Sequence, residues 1–287
     1  MLLSKAMESF VEYLILIDRA PKTITGYKTQ MEYLEEFLNV RHNGPVYLED
    51  IELEDLEAYL SLLKEREIAT SSRNRMVYVL RSFYSFCCKK DLCEKNIALL
   101  LEPVRIVQEE RTYITEEEFT QLAKAIDQKI VRTLVQTMFY TGARMTEMIN
   151  LKLKDVDMEK GILHIIEGKG RKNRKIPIND KLNAILKNYL KNIRKPLVPS
   201  DRFFATDSTG KISAATINTN IYKATAALGW EKHISSHILR HSFSTNLLNK
   251  GASVVSIQKL LGHASLTVTS RYLHQSMDTL TETVNLF

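Results

Sequence analysis

The chain has 287 residues, with 40 Lys and Arg against 34 Asp and Glu, a formal net charge of +6. That length exceeds what one small core needs and suits two domains; the modest basic excess permits nucleic-acid binding without establishing it. Three cysteines, Cys87, Cys88 and Cys93, argue against a disulfide scaffold and form no Cys-x-x-Cys zinc pair, so reduced thiols in a cytoplasmic protein are expected. Glu8, Glu12 and Asp18 interrupt the apolar start, and no run reaches membrane-spanning length, so neither a leader nor a span is expected.

The first hundred residues predict helices only. Met7, Phe10, Val11, Leu14 and Ile17 recur at helical spacing. After a break at Pro21, Thr23 is the expected N-cap of a second helix, with Ile24, Tyr27, Met31, Leu34 and Leu38 on one face. Asn43, Gly44 and Pro45 mark a turn. Leu53, Leu56, Tyr59, Leu60 and Leu63 give a third helix. Met76, Val79, Leu80, Phe83 and Phe86 give a fourth, starting near Ser71 and Ser72, whose polar flank carries Arg73, Arg75, Arg81, Lys89 and Lys90. Such a charged flank is by itself an ordinary solvated face.

Residues 101–112 hold a proline, many charges and little periodicity, and divide a first domain (1–100) from a second (113–287). Thr115 and Glu118 then predict a capping box, with Ile114 and Phe119 as hydrophobic staple. A buried helix over Ile130 to Tyr140 is expected to end at Thr141 and Gly142. A short helix begins near Met145, with Arg144 at the turn that opens it. Alternation on both sides of a Gly-Lys-Gly turn predicts strands at 162–167 and 173–178. Helices follow at 180–194, 213–228, 236–249 and 253–261, with Gly251 as a C-cap. The expected architecture is mainly α: an N-terminal helical bundle, then a mostly α domain with a small antiparallel hairpin.

The densest chemistry lies between His233 and His274. His237 and Arg240 stand three apart, on one helix face. Leu261, Gly262 and His263 form a turn, and Tyr272 follows nine residues later. Arg presents a planar fork of donors that matches two phosphate oxygens and stays protonated. His can donate a hydrogen bond or carry a proton near neutral pH. A phenol is a poor nucleophile until cations or a base favour its phenolate. Any one of these residues alone is an ordinary packed or surface side chain; their joint spacing argues for phosphate chemistry.

This stretch resembles the C-terminal signature of the tyrosine recombinases, the phage integrase family, and most of all the Xer recombinases and transposon and integron enzymes of similar size. The resemblance covers nearly the whole chain. It implies that Arg144, in TGARMTEMINL, and Arg240, in HILRH, clamp the scissile phosphate. A surface ion pair with Glu147 is the bland alternative for Arg144. The resemblance also implies that Lys169, in the hairpin turn, protonates the 5′-oxygen leaving group, with Lys172 as its neighbouring competitor. His237 and His263 would flank the phosphate, Glu147 would orient Arg144 or His237, and Tyr272 would be the nucleophile. Tyr140, close to Arg144 in sequence, is expected in the core.

The implied activity is site-specific recombination through a 3′-phosphotyrosyl link and a Holliday junction, with no metal, cofactor or ATP. A type IB-like topoisomerase and a non-catalytic DNA-binding protein of the same fold are the alternatives. The N-terminal bundle would be a SAM-like domain clamping the duplex, with Lys22, Thr25, Lys28, Ser72, Arg73, Asn74, Arg75 and Lys172 as weaker candidates for DNA contacts. The implied partners are double-stranded DNA with a specific site and further copies of the chain. A tetramer on two duplexes would be linked through the tail, where Leu280, Val284 and Leu286 form a short amphipathic pattern. A partner recombinase or accessory protein is a further candidate. The departures are small: Ser236 stands where Xer proteins often have proline, and Arg271 precedes Tyr272 where many relatives carry an uncharged residue.

Overall fold

The computed structural model describes residues 1–105, 112–166 and 173–262. The chain divides into two units, Met1–Glu109 and Glu110–Phe287. In the first, the apolar stripes legible in the sequence become helices α1 (Leu3–Leu16), α2 (Pro21–Arg41), α3 (Leu53–Glu65) and α4 (Thr70–Lys89). Phe10, Leu34, Leu38, Leu56, Leu80 and Phe83 are buried in one core. Phe10 meets Phe83 edge-on, with ring centroids 5.5 Å apart. Ile17 lies one residue past α1 and is 40 % exposed, so it does not extend the apolar face.

Two local expectations give way. Helix α2 begins at Pro21 with Ala20 as N-cap, not at Thr23. Proline suits the first helical position because its missing N–H has no intrahelical acceptor there in any case. Asn74, a candidate for DNA contact, is buried instead. Its amide nitrogen donates to the Val104 carbonyl at 2.6 Å and its oxygen accepts from the Val104 N–H at 2.9 Å. Both ends of the amide therefore fasten the 96–104 segment along α4, where Arg81 also donates to the Ala98 carbonyl.

The second unit holds α5 (Glu116–Ala125), α6 (Lys129–Thr141), α7 (Met145–Asn150), α8 (Asp180–Asn188), α9 (Ala214–Ala227), α10 (Ser236–Asn249) and α11 (Val254–Leu261). The capping box forms: Thr115 Oγ1 accepts from the Glu118 N–H, and the Glu118 carboxylate from the Thr115 N–H. Helix α6 is the central element, packed by α5, α8, α9 and α10. Val131, Leu134, Val135 and Met138 on it are fully buried. The Phe119 and Phe139 rings stack, 3.7 Å between centroids and 2° from parallel.

Among the described residues the sheet has three antiparallel strands in the order β1 (Val156–Asp157), β2 (Ile162–Ile165) and β3 (Arg174–Pro177). The register pairs Leu163 with Ile176 and Ile165 with Arg174. At two residues, β1 is too short to show alternation, so only the hairpin was legible. The helix expected over 180–194 is α8 followed by a π-helical turn, Tyr189–Ile193. No helix among the described residues is long and apolar enough to cross a membrane.

Candidate active site

The site is built where α6 ends. Gly142 closes the helix with φ +64°, a left-handed conformation that costs a side-chain-bearing residue. A Cβ there would lie 2.4 Å from Phe243 Cδ1, on α10, and 2.7 Å from Leu261 Cδ2, on α11. Glycine thus lets both helices close onto this turn, and Arg144 follows two residues later.

Arg240 occupies the junction. It is 6 % exposed; Nη1 donates to the Gly142 carbonyl at 2.6 Å and Nη2 to the Leu261 carbonyl at 2.7 Å. One guanidinium therefore joins the turn before Arg144 to the end of α11, just ahead of Gly262 and His263. Both of these acceptors are neutral carbonyls, and together they fix its plane. His237 lies on the same helix one turn earlier and is exposed.

Arg144 is the N-cap of α7, and Glu147 sits in the first turn. The Arg144 N–H donates to Glu147 Oε2 at 2.7 Å, and Nη1 donates to Oε1 at 2.7 Å. The ion pair weighed against catalysis does form, but Glu147 is not its surface version. Its side chain is 8 % exposed and is held from the other side by Arg174, whose Nη1 and Nη2 donate at 3.0 and 2.8 Å. Burial pushes the Glu147 carboxyl up; the hydrogen bonds and charge of Arg174, aided by Arg144, outweigh that and bring it down to about 2. Arg144 keeps 29 % of its side chain exposed and lines a cavity of about 480 Å³ together with Lys152, Lys154, His164 and Arg202. That cavity is rich in donors and cations.

Arg174 was not among the residues singled out from sequence. Its signal was present as period-two alternation in β3, which places it on the same face as buried Ile176. A cation on a core-facing strand position demands a partner. Gly262, in the Leu-Gly-His turn, has φ +68°, and a Cβ there would lie 2.9 Å from Arg174 Cδ.

Lys169, Lys172, His263 and Tyr272, like the tail residues Leu280, Val284 and Leu286, lie outside the described residues. Tyr140 packs edge-on against Phe119 and Phe139, as expected of a core aromatic. In the first unit Lys22, Thr25, Lys28, Ser72 and Arg75 are exposed. The Thr25 hydroxyl donates to the Pro21 carbonyl. Lys28 pairs with Glu32 at 3.8 Å. Arg73 is half-buried and donates to Thr70 Oγ1 at 3.1 Å.

Residues 112–279 match the model of the phage integrase family, and residues 7–91 match the phage integrase N-terminal SAM-like domain. The tyrosine recombinase XerC of Oceanobacillus iheyensis is 31 % identical, over 96 % of this chain and 93 % of that protein. The XerC of Leptospira interrogans is 28 % identical over 98 % and 92 %. Among solved structures, the Tn1549 transposon integrase in complex with a circular intermediate DNA has the same fold. Its TM-score is 0.83 at 18 % identity, with all of both chains covered. A lambda integrase dimer bound to a COC′ core site gives 0.80 at 18 % identity, over 95 % of each chain. The catalytic-domain match alone spans more than half of the sequence, and the chain belongs to the phage integrase family, the tyrosine recombinases.

Proposed function

We propose that this chain is a site-specific DNA recombinase in which Tyr272 cuts one strand at a time and holds the cut end. The phenolic oxygen attacks the scissile phosphorus, the bond from phosphorus to the 5′-oxygen breaks, and a 3′-phosphotyrosyl link forms. His237 is the proton shuttle and His263 a hydrogen-bond donor to the phosphate. Lys169 gives a proton to the departing 5′-oxygen, with Lys172 as the competing donor. A 5′-hydroxyl from a second duplex then reverses the step, leaving a Holliday junction. One phosphodiester replaces another of similar energy, so no external energy source is needed.

Arg144 and Arg240 take the two non-bridging oxygens, where negative charge accumulates in the transition state. The observation that carries this assignment is the placement of Arg240. It is buried, and two carbonyls aim it between the turn before Arg144 and the end of α11. Glu147 orients Arg144 from its own N-cap. The first unit meets the duplex through phosphate contacts from Lys22, Lys28, Ser72, Arg73, Arg75 and the Thr25 hydroxyl. The working assembly is a tetramer on two duplexes, linked through the tail after Tyr272, in the cytoplasm. A partner recombinase or accessory protein is a further candidate member of that assembly. A lambda integrase tetramer bound to a Holliday junction has the same fold, with TM-score 0.79.

The test incubates the protein with DNA carrying the neighbourhood of its own gene and resolves the products on denaturing gels. Covalent protein–DNA adducts are expected with the parent and absent with Tyr272→Phe. Adducts that persist in that variant overturn the assignment of the nucleophile.

A further inference from the structure

We propose that Arg174 is a positioning residue that fastens the hairpin carrying Lys169 to the Arg144–Glu147 corner and to the end of α11. This rests on the assignment of Lys169 as proton donor and explains how that lysine is held in reach of the leaving group. The backbone of Arg174 pairs with Ile165 at the last rung of the ladder before the 166–173 segment. Lys169 lies within that segment, five residues before Arg174. Where its ammonium can go is therefore set by where this rung is held.

The rung is held sideways, by the arginine side chain. Arg174 is 7 % exposed, with two nitrogens on the Glu147 carboxylate and Nε donating to the Leu260 carbonyl at 2.8 Å. One planar group thus sends a pair of bonds to one carboxylate and a third to a separate carbonyl, which an ammonium on a flexible stem does not reproduce. They join the hairpin to two other segments: the α7 turn that starts at Arg144, and the end of α11 that leads to His263. Gly262 supports the same account. Its hydrogen atom faces Arg174 Cδ where a methyl group would stand 2.9 Å away, so the chain at Gly262 closes directly onto this side chain.

Five residues of extended chain span roughly 17 Å, whereas proton transfer needs donor and acceptor within about 3 Å. Freeing the rung therefore costs the general acid its address, while the phosphate-facing arginines keep their own attachments. Misplacement by about 1 Å is enough for a loss of about 100-fold.

The experiment measures single-turnover cleavage of two substrates: ordinary site DNA, and the same DNA with sulfur replacing the bridging 5′-oxygen at the scissile phosphate. A thiolate leaves without a proton, so sulfur bypasses the general acid. Arg174→Gln is expected to bind site DNA within about twofold of the parent by gel shift and to cleave the ordinary substrate about 100-fold more slowly. On the sulfur substrate it should match the parent, as should Lys169→Ala. Sulfur rescue of Lys169→Ala without rescue of Arg174→Gln overturns the anchoring role. Absence of rescue in Lys169→Ala overturns instead the general-acid assignment beneath it. Arg174→Lys keeps a cation against Glu147 and guards against a variant that does not fold. It loses the Nε–H that reaches Leu260, so it should show the same rescue from a smaller defect. Parent-like cleavage of ordinary DNA by Arg174→Lys refutes the proposal.

Discussion

Gly142→Ala isolates the turn on which the site is built. Two costs follow from the structure. The backbone is left-handed at φ +64°, which costs an alanine about 1–2 kcal/mol. The added methyl would also stand 2.4 Å from Phe243 and 2.7 Å from Leu261, both buried, and forcing atoms into a packed core costs about 1–3 kcal/mol. The expected loss is therefore about 2–5 kcal/mol, a large part of the roughly 5–15 kcal/mol by which a domain is stable. Gly229→Ala is the control, because Gly229 has φ +67° and a methyl added there would meet nothing within 4 Å; it should show the backbone cost alone. The assay is urea unfolding followed by Trp230 fluorescence. Trp230 is the single tryptophan and packs against the core of the second unit, so it reports that unit. Cleavage should fall with Gly142→Ala, because the carbonyl that holds Arg240 belongs to this residue. If Gly142→Ala loses no more than Gly229→Ala and still cleaves at the parent rate, the account of this turn is refuted.

Glu147→Gln should cost about 3–5 kcal/mol, since it removes the carboxylate charge paired with the buried Arg174 cation, and urea unfolding at pH 7 checks this. The folded carboxyl titrates near 2, below its ordinary 4.5. Its stabilisation is thus complete above about pH 4.5 and is lost as pH falls toward 2, so the variant's stability should vary less with pH over that window than the parent's. Arg240→Lys cannot reach the Gly142 and Leu261 carbonyls together. Cleavage should drop about 100-fold or more with DNA affinity retained, and an affinity loss of similar size would show that Arg240 serves binding. In the first unit, Asn74→Ala leaves the Val104 N–H and carbonyl without their partner, at about 1–3 kcal/mol. Faster amide exchange at Val104 is the direct readout, and an unchanged rate contradicts the fastening role.

The elements were legible where one signal sufficed. Periodicity placed the four helices of the first unit, and the Thr115–Glu118 box fixed the start of α5. Gly142 marked the end of α6, as a residue able to take positive φ should. What escaped depends on neighbours far along the chain. Thr23 looks like a cap in isolation, but Pro21 was already a suitable first helical residue. Asn74 sits between two arginines in sequence, yet its amide is matched to a backbone 30 residues away. Glu147 was read as a partner of Arg144 three residues off, because local spacing shows nothing of Arg174, 27 residues on. Both arginines share that carboxylate only because the fold brings the Arg174 side chain of β3 to the first turn of α7.

Arg144 and Arg240 are held by opposite means, and the difference bears on how they would meet a phosphate. The carbonyls that grip Arg240 are dipoles without net charge, so they set its plane and bring no negative charge of their own. Arg144 is gripped by a carboxylate, through its own N–H and one guanidinium nitrogen. Arg174 takes the same carboxylate through a two-nitrogen fork. One negative charge then lies between two positive ones, and the corner keeps a positive excess from those three groups. The cost of confining like charges is met when the chain folds, so little reorganisation is left for the moment of reaction. Removing Glu147 therefore does not free Arg144 to work harder; it leaves two guanidiniums facing each other at an unsupported turn.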